Sequence, residues 1–321
     1  MIWFVNILIF LASACLLYVS GELIVKSLLR FSRILGFKEF VVAFFVMAFA
    51  ASLPNLFVGI TSALEGVPEL SFGDILGNNL IALTLATSVG VFFSRNKEVP
   101  AQSSTIQTTS VFTIVAALLP IILVIDGELG RGDSIILITL FVSYIYWLFS
   151  KKERFEKVYE EGEVKITREL KYVLGDILKI LLGVVLLFLA AKGIVSSASF
   201  MAIELNLPII LIGILIVGFG SALPEVYFSI SSALKNESYM IMGNLMGAVI
   251  IPATLVLGVV ALINPINTNN LEYFFVSRLF VAGAALFFYF FTKTDRSIKI
   301  REAYFLLLIY FSFLLTIFIF S

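Results

Sequence analysis

"FAASLPNLFVGITSAL" (49–64) and "FGSALPEVYFSISSAL" (219–234) are two versions of one segment. Phe49/Phe219, Leu53/Leu223, Pro54/Pro224, Ile60/Ile230 and Ser62–Leu64/Ser232–Leu234 are identical at a constant offset of 170. The offset continues without a gap: "SFGDILGNNLIALTL" (71–85) falls on "IMGNLMGAVIIPATL" (241–255), matching Gly73/Gly243, Gly77/Gly247, Thr84/Thr254 and Leu85/Leu255. Leu-Pro and paired glycines are not generic membrane composition, so an internal duplication is expected. The second copy also carries Glu225 directly after Pro224 in a strongly apolar stretch. A carboxylate at the centre of a bilayer costs ~3 kcal/mol or more, so something must repay it.

The chain has 321 residues, 60% hydrophobic and 14% charged, with mean hydropathy +1.06. Soluble domains are roughly half apolar and a quarter charged. The expected class is therefore an all-α integral membrane protein. A bilayer core of ~30 Å needs ~20 apolar residues per helix. Ten runs qualify, near 2–19, 39–64, 71–94, 106–125, 134–150, 174–197, 207–233, 239–263, 272–292 and 302–320. The first lacks a basic leader region and is read as a retained helix rather than a signal peptide. Residues 1–150 form the first five-helix repeat, with the duplicated core at 39–94. Residues 151–171 form a charged linker, and 172–321 a second repeat with its core at 207–263. Five spans per half force the halves to enter the membrane in opposite senses. This is the inverted-topology arrangement, whose sites sit near the midplane where interrupted helices meet.

Composition also excludes chemistry. The single Cys15 and the absence of histidine leave no disulfide framework and no Cys/His zinc site. With zero formal net charge there is no basic patch for nucleic acid, and no protein partner is indicated. The lipid bilayer and inorganic cations are the expected partners, and no bound cofactor is expected. All but three of the 22 Lys and Arg fall in the loops after spans 1, 3, 5, 7 and 9 or, for Lys179, at the helix end adjoining one, the exceptions being Arg131, Lys192 and Arg278. Those loops should be cytoplasmic, with both termini on the other side of the plasma (inner) membrane. The linker "KKERFEKVYEEGEVKITRELK" (151–171) mixes both signs and reads as solvated, with a regulatory segment as the alternative.

The candidate site follows from the duplicated cores. Pro54 and Pro224 each remove a backbone donor, freeing carbonyls that need other partners at membrane depth. Ser52 and Asn55 share one helix face, as do Ser221 and Glu225. Glycines four apart let backbones approach closely, which accounts for Gly73, Gly77, Gly243 and Gly247. It does not account for Asp74, for its repeat mate Asn244, or for Asn78 one turn after Asp74. Asn79 lies off that face and is expected to bond across helices. The repeats exchange their charges, Asn55 against Glu225 and Asp74 against Asn244. Asp74, Glu225, Asn55, Asn78, Asn244, Ser52 and Ser221 could supply roughly six to eight hard oxygen ligands, which suits Ca²⁺, and a charge of about −2 balances one Ca²⁺ or two Na⁺. Glu22 and Lys192 are expected to snorkel near opposite membrane faces. Asp176 is expected at a helix entrance, and the Phe-rich stretch from 274 on lipid-facing or packing surface.

At these motifs the chain resembles the cation/Ca²⁺ exchanger superfamily, sodium–calcium exchanger type. That family has two repeats, each with Gly-(Thr/Ser)-Ser-Leu-Pro-Glu followed by Gly-Asn-x-x-Gly-Ser-Asn. Here they read "AASLPN" with "GDILGNN", and "GSALPE" with "GNLMGAV". The departures are Asn55 for the family glutamate, Asp74 for the asparagine, and Asn78 and Ala248 for the serines. Ala82 and Pro252 stand where sodium–calcium exchangers carry a polar or acidic ligand. Glu225 keeps the family identity, and Asp74 is expected to restore the missing charge. The resemblance implies a secondary-active antiporter rather than an enzyme, exchanging Ca²⁺ for Na⁺ while helices 1 and 6 slide across the other eight. The rival expectations are an H⁺-coupled or other-cation exchanger of this fold, a non-transporting homologue, and an intramembrane aspartyl protease ("FGD" at 72–74, "ALP" at 222–224).

Overall fold

A computed structural model describes residues 2–34, 49, 52–150, 170–268 and 271–320. In chain order these form α1 (Ile2–Ile34), α2 (Leu53–Leu64) and α3 (Pro68–Phe93), then β1 (Glu98–Pro100), α4 (Ser104–Leu123), β2 (Glu128–Leu129) and α5 (Arg131–Ser150). After the linker come α6 (Leu170–Leu205), α7 (Ile209–Leu234), and α8, which joins Ser238–Ile251, Pro252–Val256 and Leu257–Ile263. β3 (Ile266–Asn267), α9 (Leu271–Thr294), β4 (Ser297–Lys299) and α10 (Ile300–Phe320) complete the chain. Among the described residues nine helices are long and apolar enough to cross a membrane, and α2 is shorter. Residues 39–48 of the expected second span lie outside the described residues. So do 151–169 of the linker, together with the cations in that stretch and Lys38.

The fold is mostly helical, with one amendment to the all-α expectation. β1 pairs antiparallel with β4, and β2 with β3. Each two-stranded ladder ties a loop of the first half to a loop of the second. Where the chain turns between helices it has no intrahelical partner, and extended pairing satisfies its backbone groups.

α3 and α8 form the interior: their most apolar windows are 83% and 72% buried, against 0% for α1. They are also mates at the 170-residue offset. α1 packs along α6, and that pair borders α2 and α7. α1 and α6 run 33 and 36 residues, well beyond the apolar runs 2–19 and 174–197. Hydropathy marks only the part inside lipid, whereas helical hydrogen bonds continue through polar residues such as Glu22 and Lys26. At 1.5 Å per residue each spans about 50 Å, more than the ~30 Å core, which a helix accommodates by tilting or by protruding.

α3 and α7 cross at backbone contact. A Cβ on Gly73 would strike the Ile210 carbonyl, and one on Gly77 the Ile214 carbonyl. From the other side, a Cβ on Gly213 would stand 2.5 Å from Leu70 O, and one on Gly218 2.8 Å from Asp74 O. The glycine pair at 73 and 77 therefore serves the close approach expected of it. At Gly243 an added Cβ would meet nothing within 4 Å, so close packing does not explain that glycine. Gly77→Ala is expected to destabilise the fold by ~1–3 kcal/mol, the usual cost of overpacking. Thermal unfolding in detergent measures it, and Gly243→Ala should leave the melting temperature nearly unchanged.

Three π-helical turns interrupt the core helices: Ala82–Ala86 in α3, Gly213–Val217 in α7 and Pro252–Val256 in α8. The first and third sit at the repeat offset. π turns appear mostly as single bulges, frequently at functional sites. In these two, a threonine hydroxyl donates one turn back, Thr84 to Leu80 O at 2.5 Å and Thr254 to Ile250 O at 2.6 Å.

Candidate ion site

The crossing of α3 and α7 brings Asp74 and Ser221 together. Asp74 is 1% exposed, on the helix that the glycines press against α7. Ser221 Oγ donates to Asp74 Oδ1 at 2.6 Å. Glu225 lies one turn beyond Ser221 on the same face of α7, the face that reaches Asp74. Its Oε2 is buried and has no hydrogen-bond partner. A buried carboxylate oxygen without a donor is costly, and such groups require a partner or an ion.

Asn78 follows Asp74 by one turn. Its Nδ2 donates to Ala248 O at 3.1 Å, across to its own repeat mate. The reason lies in Pro252. Proline has no N–H, so the carbonyl four residues earlier, that of Ala248, loses its helical donor. The Asn78 amide supplies one instead. That leaves Asn78 Oδ1 buried and without a partner, beside the Asp74 turn.

The remaining sequence candidates are placed less closely. Ser52 and Asn55 are buried at the start of α2, 6% and 7% exposed, and Gly21 of α1 leaves room for Pro54 beside them. Asn244 is half-buried on α8, one turn before Ala248. No hydrogen bond among the described residues ties Asn55 or Asn244 to the Asp74–Ser221 pair. Pro224 lies inside α7, whereas Pro54 falls in the first turn of α2.

Asn79 does not behave as expected. It is 1% exposed, its Oδ1 has no partner, and among the described residues it makes no side-chain hydrogen bond across helices. The neighbouring helices present apolar side chains around most of α3, and hydrocarbon offers an amide no donor. Ser229 was not anticipated. Its buried Oγ is unpartnered one turn after Glu225, extending the polar face Ser221–Glu225–Ser229. The i, i+4, i+8 spacing was the signal for it. Glu22 is exposed and pairs with Lys26 at 2.6 Å, and Lys192 stands 5.2 Å from the Phe188 ring. Asp176 is buried near the start of the span, 3.8 Å from Lys179. In the Phe-rich stretch Phe275 and Phe290 are exposed and Phe288 is buried.

Among the described residues no three acidic, cysteine or histidine side chains cluster as a metal site would. Two carboxylates and neutral oxygens are what the crossing offers. Asp74 pairs with a serine rather than with a second aspartate, so among the described residues the paired aspartates of an intramembrane protease are missing.

A buried carboxylate at a close crossing of interrupted membrane helices, with a second half-buried one on the crossing helix, is the mark of a multi-pass membrane protein of the ion-transport class. The family described as sodium/calcium exchanger protein matches residues 5–150 and 176–319, and the chain belongs to that family. The chain is 23% identical to "Sodium/calcium exchanger MaX1" of Methanosarcina acetivorans, over 98% of this chain and 99% of that one. It is 24% identical to "Inner membrane protein YrbG" of Escherichia coli, over 75% and 74% of the two chains. Its fold is similar to a crystal structure of the H⁺/Ca²⁺ exchanger CAX, with TM-score 0.77 and 19% identity over 97% of this chain and 82% of that one. It is also similar to the sodium-calcium exchanger NCX_Mj soaked with Na⁺ and Sr²⁺, with TM-score 0.64 and 22% identity over 97% and 98%.

Proposed function

We propose that this protein is a secondary-active cation antiporter that exchanges Ca²⁺ for Na⁺ by alternating access. The observation that carries the reading is buried Asp74 bonded to half-buried Ser221, with Glu225 one turn further on and buried oxygens of Glu225 and Asn78 left without partners. Asp74 and Glu225 supply charge; Asn55, Asn78 and Asn244 supply neutral oxygens; Ser52, Ser221 and freed carbonyls complete the shell. Such a set of hard oxygens suits Ca²⁺ and offers nothing to a soft metal. The architecture proposed is ten transmembrane helices in two inverted five-helix repeats, 1–150 and 172–321, joined by a cytoplasmic linker. Matching of α3 with α8, and of two π turns, at the repeat offset supports it. Both termini are then on the non-cytoplasmic side of the plasma (inner) membrane.

Exchange requires that the empty site rarely crosses the membrane. Two carboxylates with no cation partner supply that barrier, because exposing them to hydrocarbon without a cation is expensive. A second reading, H⁺ as the coupling ion, rests on the same pair. Ala82 and Pro252 contribute no charge where the resemblance leads one to expect a ligand, so two protons can neutralise the site. Purified protein in liposomes, loaded with Na⁺ or with an imposed pH gradient, distinguishes them by ⁴⁵Ca²⁺ uptake. Uptake driven by outward Na⁺ supports the proposal. Uptake driven by the pH gradient alone supports the second reading, and no uptake in either arm, repeated with other labelled cations, supports a non-transporting homologue.

A further inference from the structure

Away from the Asp74–Glu225 group, a cavity of about 400 Å³ opens at the end of the molecule where β1 pairs with β4. One wall is the start of α4, with Ser104, Gln107, Thr108 and Val111. These stand at i, i+3, i+4 and i+7, one stripe of a helix. The other wall is Lys293 and Arg296, at and just past the end of α9, with Gln102 at the rim.

The walls are tied together. Gln107 Nε2 donates to Ala101 O at 2.7 Å and to Thr292 O at 2.8 Å, and Lys293 Nζ donates to Gln107 O at 2.9 Å. Lys293 also stands 5.5 Å from the Tyr289 ring centroid. Ala101 N donates to Arg296 O at 2.7 Å, which holds the turn carrying the guanidinium. The nearby carboxylates serve Lys299 instead: Asp295 pairs with its ammonium at 2.6 Å, and Glu302 accepts from its backbone N–H at 2.7 Å. Among the described residues neither Lys293 nor Arg296 has a carboxylate partner. Two uncompensated cations thus face a cavity whose other polar groups are hydroxyls and amides.

The cavity also has a direction. From Ser104 to Val111 is ~10 Å along the helix axis. It begins among polar groups at the helix end and finishes at Val111, which is 40% exposed, with Val115 exposed to the same degree one turn deeper. A free anion has no use for that apolar exit, whereas an amphiphile does.

We propose that this cavity binds the phosphate diester headgroup of an anionic phospholipid. Arg296 and Lys293 hold the phosphate; Gln102, Ser104 and Thr108 contact the polar headgroup; an acyl chain descends along Val111 and Val115. Basic pockets between transmembrane helices take lipid headgroups in this way. The guanidinium adds the forked geometry that phosphate oxygens match. The lipid bridges α4 and α9 at the point where the two halves of the chain are laced together.

Native mass spectrometry of the full chain in non-ionic detergent tests the proposal. Separate arms titrate dioleoylphosphatidylglycerol, dioleoylphosphatidylcholine and inorganic phosphate. Phosphatidylglycerol is expected to remain bound under activation that strips phosphatidylcholine, and inorganic phosphate is not expected to displace it. Arg296→Gln removes one cation and should weaken phosphatidylglycerol binding about fivefold. Thr108→Glu places a carboxylate in the cavity and should weaken it at least as much. Both side chains line the cavity rather than the core, and an unchanged melting temperature in detergent confirms that each variant is folded. Equal retention of the two lipids, displacement by inorganic phosphate, or unchanged binding in both variants would overturn the proposal.

Discussion

Glu225→Gln is expected to lower Ca²⁺ transport by on the order of 100-fold or more, because a site's Ca²⁺ affinity follows its ligand charge count. The substitution keeps an oxygen, the length and the shape of the side chain. It removes one of two charges and leaves a site of about −1, which cannot balance a divalent cation. Folding should survive, since Glu225 Oε2 has no hydrogen-bond partner to lose. The measurement is ⁴⁵Ca²⁺ uptake in liposomes beside a melting curve in detergent. If the variant unfolds, the loss of transport says nothing about charge. If it folds and transports normally, Glu225 is not a ligand.

Asp74→Asn should be of the same order, with a sharper control. Asp74 accepts from Ser221 Oγ at 2.6 Å, and an asparagine oxygen can accept the same bond. The structural cost is therefore small compared with the loss of charge. The decisive variant is Asn55→Glu combined with Asp74→Asn, which restores the arrangement the sequence motif suggests and returns the total to two carboxylates. If Asn55 borders the same ion, the double variant should recover part of the transport lost in Asp74→Asn. Recovery is not expected if Asn55, which is buried at 7% exposure but not hydrogen-bonded to the group, lies outside the shell. An Asp74→Asn protein that transports like wild type would leave one carboxylate. A monovalent cation or a proton would then be the better cargo.

The linear sequence carried the helical architecture because its signals are additive along the chain. Hydropathy marks each helix that lipid must surround, and the offset of 170 shows itself by identity at Leu-Pro and Gly-x-x-x-Gly without any contact being known. Asp74, Ser221 and Glu225 stood out as candidates for the same reason, since polar groups in apolar runs are few and helical spacing assigns them to faces. Which faces meet was not legible. It depends on the rotation and crossing of helices far apart in the chain, and backbone contact at Gly73, Gly77, Gly213 and Gly218 sets that crossing. Only there does Ser221 reach Asp74. The double role of Asn78 needed the partner helix too: its amide answers the Ala248 carbonyl, 170 residues away, that Pro252 leaves open. The π turn of α3 has no proline of its own at Ala82, so nothing local distinguishes it from an ordinary helix. Length, helical membrane character and chemical inventory were thus properties of the chain, while the pairing of its few buried polar atoms was decided by how closely two helices could approach.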